Sequence, residues 1–246
     1  MMNKHYFDVE LISPQSRSYV SNNKKFKRIS DNDRKFKEVD HFAARYYREL
    51  SRWEFVIQRL LSRLTVEVQN RILRYSNINT GIRYREIDFI AQSSKDELIF
   101  CELKLKENFS EKLGSKASGW AQLNKSLVIA GTKYQKLGAL SICVDMSHVY
   151  GLETKAIDLN YCKFAALKNH LEIPSLDNKT LWINSKEIAS LAIEHELLTL
   201  NDVNEIKKLF QEFKDPLSTI VIDNFNVSQN PFQELIQLKS FAPLNK

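Results

Sequence analysis

Two short apolar segments on either side of a polar turn constrain this chain more than any other part of its sequence. They lie between Tyr84 and Lys106, which read YREIDFIAQSSKDELIFCELKLK. Apolar and polar residues alternate through both segments, and a period of two is typical of a β-strand. We therefore predict two strands that pair as a hairpin around the turn at residues 92–96.

Acidic residues recur within both predicted strands. Because neighbouring side chains of a strand point to opposite faces, Glu102 and Lys104 share one face and Leu103 lies on the other. In a hairpin, Asp88 of the first strand can come beside Glu102. Two carboxylates and a lysine on a solvent-facing side of a sheet are typical of a site for a hard divalent cation and an activated water.

The order of these residues resembles the PD-(D/E)xK nuclease superfamily. Asp88 is followed fourteen residues later by Glu102, and the segments EIDFIA and IFCELK are similar to EIDLIA and VFVEVK of some members. Ile87 stands where the superfamily's name has proline, at a position that varies among members. The likeness covers residues 36–146. It implies an α/β fold with a restriction-endonuclease-like core, in which a helix, three strands, a helix and a strand form a mixed sheet flanked by helices.

The resemblance also implies roles for the matching residues. Asp88 and Glu102 would bind Mg²⁺ or Mn²⁺, with the carbonyl of Leu103 as a further metal ligand. Lys104 would orient or help to deprotonate the attacking water and would offset charge on the phosphate.

A helix is predicted before the strands, because apolar residues recur every three or four positions from Val39 to Leu64. In the superfamily this helix often lends a third carboxylate to the metal site. Glu54 fits that role better than Glu49 by its distance from the following strand. Both glutamates fit equally well as surface residues that pair one helical turn away.

The residues around the motif complete the expected core. We predict a first strand at 66–75, a second helix at 120–130 and a last strand at 139–146. Gln122, in the second helix, matches a glutamine that RecB-type nucleases carry after Glu-x-Lys, although their tyrosine four residues later is serine here. The preceding glycine-containing loop holds two candidate DNA contacts, Lys112 and Lys116.

Charge is divided unevenly along the chain. Residues 1–149 hold 26 basic and 17 acidic side chains, whereas residues 150–246 hold 10 and 13. A basic surface around a metal site suits a polyanion such as DNA. Residues 1–35 are predicted to form a basic extension, either a DNA-binding arm or a solvated arm that packs its phenylalanine on the body. The candidate DNA contacts in it are Lys24, Lys25, Lys27 and Arg28.

The composition of the chain bears on the cellular compartment in which the protein works. No apolar run reaches the roughly 20 residues that a membrane-spanning helix needs, and the N-terminus lacks a signal-peptide pattern. The three cysteines lie far apart without a C-x-x-C pair, so we predict a reduced, cytoplasmic protein.

The sequence pattern divides the chain into three parts, of which the basic extension at residues 1–35 is the first. Residues 36–150 are predicted to be the nuclease-like domain, and residues 151–246 an α/β C-terminal extension that packs on the core or binds a protein partner. The extension holds no catalytic motif. Its predicted strands are 180–184 and 219–222, and its predicted helices are 185–198, 201–213 and 231–241. The sequence is also compatible with a homodimer.

Two functions from different classes fit this sequence. The first is a metal-dependent endonuclease that hydrolyses phosphodiester bonds of DNA, as a nuclease subunit of a defence or DNA-processing system. The second is a non-catalytic nucleic-acid-binding module of a larger complex. A small α/β protein without a nucleic-acid role is the third alternative.

Overall fold

The computed structural model describes residues 5–23, 41–93, 97–110, 112–152, 161–172 and 180–214. The basic residues Lys24, Lys25, Lys27 and Arg28 lie outside the described residues, as do the elements predicted at 219–222 and 231–241.

The described residues form strands and helices, with five consecutive strands between the first two long helices. The strands are β1 (Tyr6–Ile12), β2 (Val66–Glu67), β3 (Ile72–Asn77), β4 (Gly81–Glu86), β5 (Phe89–Gln92), β6 (Leu98–Lys106), β7 (Leu137–Asp145) and β8 (Thr180–Asn184). The α-helices are α1 (His41–Leu64), α2 (Trp120–Ala130), α3 (Ser147–Tyr150), α4 (Leu167–Glu172), α5 (Ser185–Glu194) and α6 (Leu200–Lys214). A short helical segment at 17–23 and a 3-10 turn at Phe164–Ala166 complete the set.

Five strands form a mixed sheet in the order β2-β5-β6-β7-β8. The pairs β2–β5 and β5–β6 are antiparallel, whereas β6–β7 and β7–β8 are parallel. The predicted hairpin is confirmed, with Phe89 opposite Cys101. The α/β class and the mixed sheet flanked by helices are also confirmed.

Two predicted strands are each broken into two. The strand expected at 66–75 is wrong as a single element, because β2 joins the five-stranded sheet and β3 joins a separate antiparallel sheet of order β1-β3-β4. The first motif strand likewise divides into β4 and β5, with a bend at residues 87–88. Between β2 and β6 the chain therefore changes sheets twice.

The first strand of the smaller sheet lies inside the segment predicted to be an extension. β1 pairs with β3, and its Val9 is buried in the same cluster as Leu73 and Tyr75. Residues 6–12 are thus part of the folded body.

Both faces of the five-stranded sheet are covered, as the buried character of β6 and β7 requires. On one face, Leu103 packs in a cluster with Trp53 of α1. On the other face, Phe100 packs with Leu123 and Ile129 of α2. Successive residues of β6 thus alternate between two cores.

Elements after residue 150 share the first of these cores. β8 pairs with β7, and α6 packs against α1 and α3. The ring of Phe210 in α6 stacks on Tyr150 with a centroid separation of 3.9 Å. In the part of the chain that the structure describes, no helix is long and apolar enough to span a membrane.

Phe210→Ala tests this docking. Phe210 is 3% exposed, so its truncation should reduce the free energy of unfolding by about 3–5 kcal/mol and lower Tm by roughly 6–20 °C. Thermal melts followed by circular dichroism measure the change. Asn204→Ala, at an exposed position of the same helix, is the control and should leave Tm close to wild type. An unchanged Tm in Phe210→Ala would show that α6 does not belong to the core.

Candidate active site

Asp88 lies at the bend that joins the two sheets, and Arg71 holds this bend. One guanidinium nitrogen, Nη1, donates to the carbonyl oxygens of Ile87 and Asp88, at 3.3 and 3.2 Å. The other, Nη2, pairs with the Glu86 carboxylate at 3.0 Å. The buried Ile87, at the position of the superfamily's proline, donates its N–H to the carbonyl of Arg71. Sequence reasoning missed Arg71 because it lies outside the motif, in the link between β2 and β3.

The bend places the Asp88 carboxylate against β6. The backbone N–H of Leu103 donates to Asp88 Oδ2 at 2.8 Å. Burial raises the pKa of Asp88, and the Leu103 N–H and the charge of Lys104 offset part of that rise. The expected juxtaposition of Asp88 with the second motif strand is confirmed.

Glu102 and Lys104 share one face of β6, as predicted. Lys104 Nζ lies 2.6 Å from Glu102 Oε1. The expectation that this face is open to solvent is wrong for Glu102, which is only 4% exposed. Burial raises the pKa of Glu102, and the negative charge of Asp88 raises it further.

The backbone at the start of α2 covers Glu102. Gly119 precedes α2 with φ of 87°, in the left-handed region. A Cβ added there would overlap Cγ of Glu102 and approach its Cβ to 3.1 Å and Cε of Lys104 to 3.4 Å. Only a glycine allows the chain to pass this close to the acid–lysine pair.

Arg85 brings a second positive charge to Glu102. From β4 it reaches α2, where Nε donates to Ser126 Oγ and Nη2 to the carbonyl oxygen of Gln122, both at 3.0 Å. Whereas burial raises the pKa of Glu102, the charge of Arg85 is among the influences that lower it. Ser126 thus anchors an arginine. In the sequence, the alternation of Arg83 and Arg85 was the signal that could have pointed to this positive charge.

The remaining residues predicted for the second helix and its loop lie at the surface. Gln122 is exposed in the first turn of α2, and the contacts described for it are made by its backbone N–H and carbonyl. Lys112 and Lys116 are exposed in the loop before α2. These three residues surround the covered face without contacting the carboxylates through a described bond.

Of the two candidate glutamates in α1, Glu54 is the one close to Asp88. Burial raises the pKa of Glu54, and the negative charge of Asp88 raises it further. Glu49 instead lies 3.5 Å from Arg52, which also bonds to Asp202 of α6 at 2.6 Å.

The carboxylate oxygens of this site fit a hard cation that takes its other ligands from water and substrate. Mg²⁺ is commonly bound by one or two carboxylates and keeps water and phosphate as its other ligands. Asp88 and Glu102 offer such a pair. Across the described ranges, no group of three or more His, Cys, Asp or Glu side chains is placed to hold a metal ion. The site therefore fits an open Mg²⁺ or Mn²⁺ site better than a closed protein cage.

No family model, curated protein or solved structure matches this chain significantly.

Gly119→Ala tests the close approach. The left-handed φ and the overlap with Glu102 should together reduce the free energy of unfolding by about 2–4 kcal/mol. Gly114→Ala is the matched control in the same loop, since no atom lies within 4 Å of its added Cβ. Thermal melts of both variants give the comparison, and equal Tm values would contradict the described position of Gly119.

The raised pKa values of Asp88, Glu102 and Glu54 predict a pH dependence of stability. A carboxyl with a higher pKa in the folded than in the unfolded protein stabilises the fold at low pH, and this contribution is lost as pH rises through the folded-state pKa. Glu102→Gln should therefore gain stability relative to wild type as pH rises from about 5 to 8 in EDTA. The measurement is Tm against pH.

Glu49→Gln serves as the control for this pH series, because Glu49 pairs with Arg52 away from the cluster. If the two glutamine variants follow the same pH profile, the three carboxylates do not repel one another in the folded protein.

Proposed function

We propose that this protein is a metal-dependent endonuclease that hydrolyses phosphodiester bonds of DNA, built on a restriction-endonuclease-like core. The observation that carries the proposal is the convergence of Asp88, Glu102 and Lys104 at one point between β5, β6 and the start of α2. The role of a nuclease subunit in a defence or DNA-processing system is the context that we favour.

In this proposal Asp88 and Glu102 hold Mg²⁺ or Mn²⁺, together with the Leu103 carbonyl, and Glu54 adds negative charge nearby. Such an ion would make the attacking water easier to deprotonate and would supply positive charge that stabilises the leaving oxygen. The N–H of Leu103 orients the Asp88 carboxylate, and Arg71 fixes the backbone that carries it.

Lys104 can interact either with Glu102 or with the substrate. Its Nζ pairs with Glu102, and its side chain is 26% exposed, so it can turn toward a phosphate oxygen or an attacking water without crossing the core. When Glu102 binds a cation, the ammonium loses its anionic partner and becomes available to the phosphate. Lys104 would then orient the attacking water or help to deprotonate it, and would offset the negative charge of the reacting phosphate.

The surface charge supports a polyanionic substrate. Arg85 and Lys104 lie beside the carboxylates, and the exposed Lys112 and Lys116 border the entry to α2. The excess of basic over acidic residues lies in the same half of the sequence as the site. Such a field attracts nucleic acid and offsets the repulsion between phosphate and carboxylate.

One observation favours the alternative of a non-catalytic nucleic-acid-binding module. Lys104 already neutralises Glu102 at 2.6 Å, so the pair needs no cation to be electrostatically balanced. In that function the fold would bind DNA through its basic surface, and divalent metal would change neither binding nor stability.

Cleavage assays with linear, supercoiled and single-stranded DNA, and with RNA, distinguish the two functions. We expect cutting with Mg²⁺ or Mn²⁺, none in EDTA, and binding without cutting in Ca²⁺. Glu102→Gln and Lys104→Met should each lower the rate by roughly a hundredfold or more. Glu54→Gln should have a smaller effect, and Glu49→Gln, its control on the same helix, should match wild type. Undiminished cleavage in EDTA would overturn the metal model.

Thermal shift gives a second readout that does not depend on turnover. Mg²⁺ should raise the Tm of wild type, because a ligand that binds only the folded state stabilises it. The shift should be much smaller for Asp88→Asn, whose amide oxygen still accepts the Leu103 N–H but offers no charge to the ion. Equal shifts in both proteins would remove Asp88 from the ligand set.

A further inference from the structure

A small cavity lies beside the candidate active site. Its volume is about 180 Å³, and it opens between α1 and the segments that follow β1 and β2. Its lining includes Phe55, Gln58, Arg59, Gln69, Arg71 and Gln15. Two links join it to the carboxylates: Arg71 also bonds to the carbonyl of Asp88, and Phe55 directly follows Glu54 in α1.

Phe55 gives this cavity an aromatic wall. Phe55 is 58% exposed, so its ring is accessible to a ligand in the cavity. The guanidinium carbon of Arg59 lies 5.9 Å from the ring centroid. Among the described residues no other aromatic ring stacks on Phe55, whereas the equally exposed Tyr47 of the same helix contacts Phe213.

The polar part of the lining is chemically suited to the edge of a base. Gln15, Gln58 and Gln69 each carry an amide that can donate and accept hydrogen bonds. Two carboxylates offset the charges of the two arginines in the lining, because Glu67 also lines the cavity and Glu86 pairs with Arg71 at 3.0 Å. An uncharged flat ring is therefore a better occupant than an anion.

The size of the cavity limits the occupant further. Sites for drug-sized molecules measure roughly 300–1,000 Å³, so this smaller cavity suits one ring system. Stacking of a base on an exposed aromatic side chain tolerates any base, because every base has a π-face.

We propose that this cavity binds a single unpaired nucleobase of the DNA strand, next to the phosphate that the carboxylate site attacks. The proposal rests on the nuclease function for its substrate, and it narrows that substrate to DNA with an unpaired nucleotide near the cut. Phe55 stacks on the base, Arg59 adds a cation–π contact, and the glutamines bond to its edge.

Binding of a single-stranded oligonucleotide tests the subsite directly. The oligonucleotide carries a fluorescent adenine analogue whose emission falls on stacking, and EDTA prevents any hydrolysis. We expect Phe55→Leu to weaken binding roughly five- to a hundredfold and to remove the quenching. Phe55→Trp, which keeps an aromatic face, should retain both. Tyr47→Leu is the matched control, since Tyr47 is 57% exposed on the same helix, and it should behave as wild type.

The outcomes separate the subsite from the nuclease function. Affinity and quenching that are equal in wild type, Phe55→Leu and Tyr47→Leu would overturn the subsite, whether or not the protein cuts DNA. Weaker binding in Phe55→Leu alone would support it even if every cleavage assay fails. Equal loss in Phe55→Leu and Tyr47→Leu would also overturn it, because the effect would then belong to helix α1 as a whole.

Discussion

One hydrogen bond links the two sheets of this protein to the candidate site. The Leu103 N–H donates to the Asp88 carboxylate, and Asp88 is the residue at which the chain leaves the β1-β3-β4 sheet for the five-stranded sheet. A buried carboxylate needs such partners, because desolvation of a charge is costly without them. The bond therefore fixes both the direction of the chain at the bend and the position of the first acidic side chain. Arg71 completes the arrangement by binding the two carbonyls of the bend.

The site combines carboxylates that repel one another with basic side chains that compensate them. Burial raises the pKa values of Asp88, Glu102 and Glu54, and the charge of Asp88 adds to the rise at both glutamates. Lys104 and Arg85 offset part of the effect at Glu102. Arg85 is anchored by Ser126 and a helix carbonyl, so its charge stays in place while Lys104 can move. A site with one fixed and one movable cation can stay folded without a metal and still accept one.

Much of the fold could be predicted from the sequence, because the deciding patterns are local. Alternation fixed the hairpin of β5 and β6, and helical spacing identified α1 and α2. The breaks in the predicted strands could not be found in this way, since residues 66–75 keep the same pattern while they change sheets. Burial of Glu102 was also missed, because it depends on Gly119, which is distant in sequence. Arg71 binds the backbone carbonyls of Ile87 and Asp88, and no spacing of residue types marks such contacts.

The glycine at the start of α2 has a consequence for how this protein can change during descent. Two separate constraints hold Gly119: its left-handed backbone and the atoms of Glu102 that occupy the space of a side chain. Replacement of Glu102 by a shorter residue removes the second constraint and leaves the first. A lineage that lost the acid would therefore keep the glycine, whereas a lineage that first lost the glycine would be under pressure to lose the acid. The order in which the two positions diverge would thus record whether backbone geometry or chemistry failed first.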